Sequence, residues 1–512
     1  MLNEKQQTAD ELKIKTIRGI GWSVAGQAGN QVLAALTMIV LARLLSPREF
    51  GLLAMVVVIT SFANIFAEMG LGSALVQKQD IRQEHLSSVF WLNVIAGLIL
   101  TSAFIICSPL ISNFYGEQIL RPLTLLISAN FAIGSLSIVQ RTNFVKTLDF
   151  RRLFVADITA VVVSSVVAIT MAYAGAGVWS LAAQSVVLTS VTAAMLWLMS
   201  AWRPSLIFRW NAIRDLLGFG ANLLGTDVLN YWVRNIDYLL IGRFIGSNPL
   251  GIYKNAYQVM LFPLTNVSRV ISRVMFPALS IIQNEKARVR NIYLQVTRTI
   301  ALITFPMMAG LFVAVEPLVL AVFGAKWSGM IPLLRVFSIV GLMQSIGTLN
   351  GNLYLSQGRA DLQFKVSLFV KATAVLGIVI GLRWGIMGVA IGYAVASLLN
   401  SYPAFYFAGK LVNLSYWQLW RNLFGVLGCS IAMAAVVFGV GVILPTTLPY
   451  GAKLACQIII GVLIYWLLIH FLGVRAYVET REILLDQYRR FREMRKQLGD
   501  SDAADAVSAR AL

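Results

Sequence analysis

Charged and amide side chains stand inside several long apolar stretches of this 512-residue chain, where they could bind an ion or an anionic group. The stretch at 217–242 holds Asp227, Asn230, Arg234 and Asp237 at spacings of three, four and three. Residues three or four apart share one helix face, so these groups form a polar stripe. Arg234 offers a planar fork suited to phosphate, and the two aspartates could take up a coupling proton or cation. The alternative is an internal Asp–Arg–Asp pairing that only holds the helix in place.

The second half of the chain carries further cations inside or at the ends of apolar stretches. They are Arg269, Arg273, Arg298, Lys365 and Lys371. Lys371 is flanked by apolar residues on both sides, whereas Arg269 and Arg273 could extend toward the membrane surface and Arg298 could lie at the interface. Few acidic residues accompany these cations. A cavity lined in this way would attract an anionic ligand, because a low dielectric strengthens each contact.

Residue types that carry metal or nucleophilic chemistry are scarce. The three cysteines, Cys107, Cys429 and Cys456, lie in separate apolar stretches, and the two histidines are His85 and His470. This set has neither the spacing of a metal site nor that of a disulfide framework. The motifs GxxxxGK[ST], GxSxG and HExxH do not occur in the sequence. We therefore predict no catalytic residue, no metal and no cofactor, and a chain that is not an enzyme.

The elements that must position the polar groups are membrane helices. Hydrophobic residues make up 58% of the chain and charged residues 13%, against about 25% charged residues in soluble domains. A helix crosses a bilayer with about 20 apolar residues, and this length predicts about 14 transmembrane helices in an all-α integral membrane protein. The first of them carries the amides Gln27 and Asn30, which could also line a cavity. The predicted segments lie near 19–42, 51–69, 87–109, 122–140, 154–174, 177–199, 217–242, 251–281, 296–322, 331–355, 364–382, 385–408, 422–444 and 453–473.

The formal net charge of +19 does not indicate nucleic-acid binding, because the basic residues are spread singly between apolar blocks. Lysine and arginine are concentrated in alternate connections, in the N-terminal segment and in the C-terminal tail at 474–512. By the positive-inside rule, both termini are cytoplasmic in a bacterial inner membrane. The start of the tail has an apolar stripe and would lie on the inner membrane surface or pack on the cytoplasmic side of the protein.

A weak internal repeat divides the chain into two halves. LARLLSPREFGLL at 41–53 aligns with IGRFIGSNPLGIY at 241–253, an offset of 200 residues. Repeated halves with a substrate path between them are common in transporters. We predict an N-terminal segment 1–18, an N-lobe 19–200, a loop 201–216, a C-lobe 217–409, two extra helices within 410–473 and the tail 474–512.

Several of these stretches resemble a known family. LARLLSPREFGLLAMVVVITSFANIFAEMGLGSALVQ is similar to the opening of Wzx-type polysaccharide flippases, and NIDYLLIGRFIG followed by GIYKNAYQV is similar to their mid-chain signature. The resemblance covers roughly 15–470 and is greatest to the branch serving colanic acid, succinoglycan or teichuronic acid. These proteins belong to the multidrug/oligosaccharidyl-lipid/polysaccharide exporter superfamily.

The resemblance implies a V-shaped bundle of two pseudo-symmetric six-helix lobes that alternates between inward-open and outward-open states. It implies a substrate, an undecaprenyl-diphosphate-linked oligosaccharide, moved to the periplasmic leaflet for exopolysaccharide or lipopolysaccharide biosynthesis. Membrane lipids and a polysaccharide polymerase or export complex are the expected partners. The alternatives are a cation-coupled multidrug exporter, a lipid II flippase, a membrane glycosyltransferase or polymerase, and a structural scaffold. A basic cavity and the lack of a large extramembrane loop argue against the drug exporter and the transferase.

Overall fold

The computed structural model describes residues 21–22, 26–68, 70–78, 80–482 and 485–486, and every regular element in these ranges is helical. Long apolar runs form helices because the backbone polar groups can then bond within the segment. The helices are α1 (26–44), α2 (Pro47–Glu68), α3 (Leu71–Gln77), α4 (Gln83–Tyr115), α5 (Leu120–Ser135), α6 (Ile138–Lys146), α7 (Phe150–Tyr173), α8 (Val178–Met199), α9 (Trp210–Phe244), α10 (Ser247–Ile281), α11 (Lys286–Val313), α12 (Val315–Val322), α13 (Met330–Gly347), α14 (Asn350–Ser356), α15 (Ala360–Gly381), α16 (Gly385–Lys410), α17 (Tyr416–Ile443), α18 (Tyr450–Phe471) and α19 (475–482).

Each predicted apolar segment overlaps a helix or a pair of consecutive helices, which confirms the all-helical membrane fold. In the described part of the chain, nine helical segments are long and apolar enough to cross a membrane, or ten if the bent pair α5–α6 is one span. The continuous segment Ala360–Lys410, with 51 residues, contains two of the predicted spans. The charged helices α9 and α10 are not in this set. The count of about 14 transmembrane helices therefore stays a prediction.

Two predicted spans at corresponding places in the halves are interrupted. The helices α5 and α6 meet at a bend of 43°, and α13 ends at Gly347 before α14 begins at Asn350. At the first interruption the Leu136 carbonyl accepts a hydrogen bond from Trp197 Nε1 at 2.8 Å. A side chain thus provides the hydrogen bond that a backbone carbonyl lacks at the break, as an apolar environment requires.

The described chain forms two compact units. The first contains the residues up to Asn255 together with Val322–Gly329 and Ile378–Val389. Within it, α7 packs on α8, α4 on α5, and α2 on α9. One of its cores surrounds Leu71, Leu75 and Val89. The predicted lobe boundaries stay a prediction.

The second compact unit contains 256–321, Met330–Gly377 and the described residues from Ala390 onward. In it, α11 packs against α13 and α17. Its core includes the fully buried side chains of Tyr293 and Phe305. Large apolar side chains such as Phe438 on α17 remain exposed, as expected for a surface in contact with lipid.

Candidate functional site

The polar stripe predicted in the seventh segment lies on α9, a continuous helix of 35 residues. Arg234 and Asp237 are three positions apart and therefore share one face of this helix. The Arg234 side chain is exposed, whereas Asp237 is buried. The side chains of Asp227 and Asn230 lie outside the described residues, although the backbone there is helical.

Arg234 lies far from either end of α9. Ten residues separate it from Phe244, the last residue of the helix, which corresponds to about 15 Å. Because α9 packs beside α2 and α4, which are long and apolar enough to span a membrane, we expect Arg234 to lie within the depth that these two helices would cross. A guanidinium facing lipid there would be costly, so charged groups at such positions normally face a cavity or a partner.

The buried Asp237 lies beside the start of α10. Its Oδ1 accepts a hydrogen bond from the Tyr238 amide at 2.9 Å, and Tyr253 lies next to the carboxylate. The residue after Tyr253, Lys254, is half-buried. Lys254 is not among the residues predicted from the sequence to bind a ligand, although it stands in the GIYKNAYQV segment that carries the family resemblance.

Arg298 lies within α11 and is buried, with 6% of its surface exposed. Its Nη2 lies 2.8 Å from Glu479 Oε2 and donates a hydrogen bond to Glu479 Oε1 at 3.0 Å. The same Oε1 accepts a bond from Arg475 Nε at 2.8 Å. This arrangement favours an ion pair that fixes α19 against α11 over a cation available to a ligand.

The remaining predicted cations lie in the second compact unit. Lys371 is half-buried in α15 and makes contacts there, while Lys365 is exposed on the same helix. Six residues apart, these two lysines do not share a helix face. Arg269 and Arg273 lie in the helical backbone of α10, but their side chains are outside the described residues.

The two amides of α1 have different surroundings. Gln27 is exposed, and Asn30 is half-buried. The Asn30 Oδ1 atom is buried and makes no hydrogen bond to another described residue. A buried acceptor of this kind can bind water or a ligand donor.

Among the residues that the structure describes, no group of three His, Cys, Asp or Glu side chains could hold a metal ion. The three cysteines are free. Arg234, Asp237, Lys254 and amide side chains are the groups of the first compact unit that could bind a ligand. In the second compact unit, the half-buried Lys371 is such a group.

Comparison with known proteins shows to which family this chain is related. Residues 40–332 match the family described as "polysaccharide biosynthesis protein". The chain is 30% identical to the teichuronic acid biosynthesis protein TuaB of Bacillus subtilis over 84% of this chain and 89% of that protein. It is 29% identical to the lipopolysaccharide biosynthesis protein WzxC of Escherichia coli, over 85% and 89% of the two chains.

Among solved structures, the lipid II flippase MurJ in an inward closed conformation has a similar fold. The TM-score is 0.71 at 17% identity, over 91% of this chain and 100% of that one. These matches confirm the family resemblance found in the motifs. Because the family match covers more than half of the chain, the chain belongs to the polysaccharide biosynthesis protein family.

Proposed function

We propose that this protein moves an undecaprenyl-diphosphate-linked oligosaccharide from the cytoplasmic to the periplasmic leaflet by alternating access. The related chains are named for teichuronic acid and lipopolysaccharide biosynthesis, and the fold is similar to that of a lipid II flippase. A protein with this fold and these relatives fits the transport step better than a synthetic one.

The observation that carries the proposal is the exposed Arg234 in the interior of α9, a helix that packs beside α2 and α4, which are long and apolar enough to span a membrane. A lipid-linked diphosphate needs a cationic group inside the bilayer, and the planar guanidinium can bind two phosphate oxygens at once. The sugars would need hydrogen-bonding groups such as Gln27 and Asn30. The prenyl chain could remain among the lipids.

The other candidate cations differ in how well their surroundings support a role in binding the substrate. Lys254 is half-buried in the same compact unit as Arg234 and could complete the diphosphate site, whereas Lys371, Arg269, Arg273 and Lys365 remain candidates from their positions in the sequence. For Arg298, the pairing with Glu479 supports a structural role instead. The buried Asp237, with Asp227 on the same helix, is our candidate for the coupling proton or cation.

The proposed setting is the inner membrane of a bacterium, with both termini in the cytoplasm, because the lysines and arginines are concentrated in one set of connections. The proposed activity is transport, with no covalent change to the substrate. A polysaccharide polymerase or export complex would take up the flipped unit on the other side.

A reconstituted assay tests the proposal. The protein in liposomes should move a fluorescent undecaprenyl-diphosphate oligosaccharide between leaflets, measured by the accessibility of the sugar to a membrane-impermeant oxidant or lectin. Arg234→Ala should reduce the rate at least about tenfold, since a charge-assisted contact is lost. Arg383→Ala is the matched control, because Arg383 is exposed in the short turn Leu382–Trp384. Equal rates in wild type, in Arg234→Ala and in protein-free liposomes would reject the function.

A further inference from the structure

The corner between α16 and α17 carries a group of aromatic side chains. Near the end of α16, the rings of Tyr402 and Tyr406 are stacked, with centroids 5.7 Å apart and an angle of 16° between their planes. Tyr416, the first residue of α17, meets Tyr402 edge to face at 5.2 Å. The next residue, Trp417, is 65% exposed, and Tyr402 and Tyr406 are exposed as well. We call Tyr402, Tyr406, Tyr416 and Trp417 the aromatic band.

The backbone of this corner is held by several contacts within the second compact unit. Ser415 caps α17, because its Oγ accepts a hydrogen bond from the Gln418 amide at 3.1 Å and its own amide donates to Gln418 Oε1 at 3.2 Å. Arg290 Nη1, on α11, donates to the Asn413 carbonyl at 3.1 Å. The side chain of Val412 is fully buried. The aromatic band therefore projects from a corner whose backbone is fixed.

Two exposed cations accompany the aromatic band. Lys410 follows Tyr406 by four residues, and Arg421 follows Trp417 by four residues, so each cation shares a helix face with one ring of the band. Neither cation forms an ion pair or a hydrogen bond with a residue that the structure describes. The sequence from 362 to 478 contains no aspartate or glutamate. The surface of this corner is therefore positive and would attract an anion.

The order of side chains along α16 matches the parts of a phospholipid. The exposed apolar Leu399 comes first, followed by Tyr402, Tyr406 and finally Lys410 at the end of the helix. Both α17 and the segment that contains α16 are long and apolar enough to cross a membrane, and tyrosine and tryptophan are enriched where such helices meet the headgroups. Arg421 lies one turn further into α17, from where its long side chain can extend to the headgroups. A soluble anion would use the cations but not the apolar and aromatic surface beside them.

We propose that the aromatic band, with Lys410 and Arg421, is a binding site for an anionic phospholipid such as phosphatidylglycerol. The two cations bind the phosphate, and the acyl chains lie along the exposed apolar faces of α16 and α17. The hydroxyl groups of Tyr402 and Tyr406 form no hydrogen bond with a described residue, so they can donate to the oxygens of the headgroup. The site belongs to the second compact unit, whereas Arg234 belongs to the first.

Native mass spectrometry of the purified protein, titrated in detergent with dioleoyl phosphatidylglycerol, tests the site. We expect the first lipid to reach half occupancy at a concentration about tenfold lower than dioleoyl phosphatidylcholine does, since only the former carries a net charge. Lys410→Gln and Arg421→Gln should each raise this concentration about fivefold, and both together about 25-fold. Neither variant loses a contact with a described residue, so both should fold. The control Arg383→Gln removes the same charge beyond the other end of α16 and should leave the affinity unchanged.

A second measurement locates the bound lipid. A phosphatidylglycerol analogue with a photoactivatable group in its headgroup should label the segment 402–421 of the intact protein. Tyr402→Leu and Tyr406→Leu together should lower this labelling about fivefold, because two hydroxyl donors and the stacked rings are lost. The control is Tyr450→Leu, since Tyr450 is an exposed tyrosine at the start of α18 whose ring lies 5.7 Å from Lys453 Nζ. This variant should leave the labelling of 402–421 unchanged.

Three results would overturn the site. The first is equal affinity of the wild type for the two lipids, and the second is displacement of phosphatidylglycerol by an equal concentration of glycerol 3-phosphate, which would indicate a site for a soluble anion. The third is an unchanged phosphatidylglycerol affinity in the double variant Lys410→Gln, Arg421→Gln, together with loss of a protein that copurifies with the wild type, which would assign the surface to a protein partner. These measurements involve no transport, so rejecting the lipid site would leave the proposed function standing.

Discussion

Arg298 shows how a buried cation can be neutralised by a residue far away in the sequence. Its partner Glu479 is 181 positions later and also binds Arg475. The two members of this ion pair differ in burial, because the Arg298 side chain is 7% exposed and the Glu479 side chain 23%. Removing one partner should therefore not have the same effect as removing the other.

Glu479→Ala should lower the free energy of unfolding by about 3 kcal/mol, because it leaves a buried guanidinium without its carboxylate. Arg298→Met should cost only about 1 kcal/mol, since Glu479 keeps Arg475 and part of its hydration. Thermal unfolding in detergent measures both changes. Glu482→Ala on the exposed side of the same helix is the control. A larger loss for Arg298→Met than for Glu479→Ala would contradict this interpretation.

Arg234 differs from Arg298 because its side chain is exposed. Arg234→Lys keeps the charge but loses the planar fork, so we expect a flipping rate between those of wild type and Arg234→Ala. Both variants should unfold at the wild-type temperature. The rate in liposomes and the unfolding temperature together check this prediction. A wild-type rate in Arg234→Lys would mean that charge alone is sufficient.

At the scale of elements, close helix packing depends on glycine pairs. In the hairpin of α15 and α16, a Cβ atom on Gly392 would lie 2.1 Å from the Gly377 carbonyl oxygen, and one on Gly377 would lie 2.5 Å from the Gly392 carbonyl oxygen. Small residues allow membrane helices to approach closely, and the approach itself supplies the packing energy. The sequence contains Gly377 and Gly381 four residues apart, as it does Gly388 and Gly392.

Gly392→Ala should destabilise the protein by about 1–3 kcal/mol, because the added methyl group meets backbone that cannot move alone. The corresponding change Gly439→Ala, on α17, meets no atom within 4 Å and should be neutral or slightly stabilising. Unfolding temperatures of the two purified variants give the comparison. Equal temperatures would show that the hairpin relaxes around the methyl group.

At the scale of the whole molecule, the distribution of charge predicts the orientation of the chain. The N-terminal segment and the C-terminal tail are both rich in lysine or arginine. An excess of positive charge holds a segment on the cytoplasmic side.

Arg475 and Arg121 are exposed. Cysteines placed singly at these positions, in a variant without the native cysteines, should therefore differ in their accessibility to a reagent outside the membrane. A membrane-impermeant thiol reagent added to intact spheroplasts should label Arg121→Cys, and it should label Arg475→Cys only after the membrane is opened. Labelling of both positions in intact spheroplasts would contradict a cytoplasmic C-terminus.

The sequence by itself determined the all-helical fold class and the family, and it predicts the polar stripe on α9. An apolar run of about 20 residues must form a helix in a membrane whatever its neighbours are, and spacings of three and four residues place side chains on one helix face. Short motifs such as GIYKNAYQV indicated the family to which the chain belongs. These properties depend on residues that are near one another in the chain.

Only the tertiary structure decided which groups meet. The carboxylate of Asp157, on α7, pairs with Arg141 on α6, although Arg151 and Arg152 are nearer to it in the sequence. Neither the pairing of Arg298 with Glu479 nor the contact of Tyr402 with Tyr416 could be predicted. The partner of a buried charge depends on which helices pack side by side, and many packings satisfy the same apolar pattern.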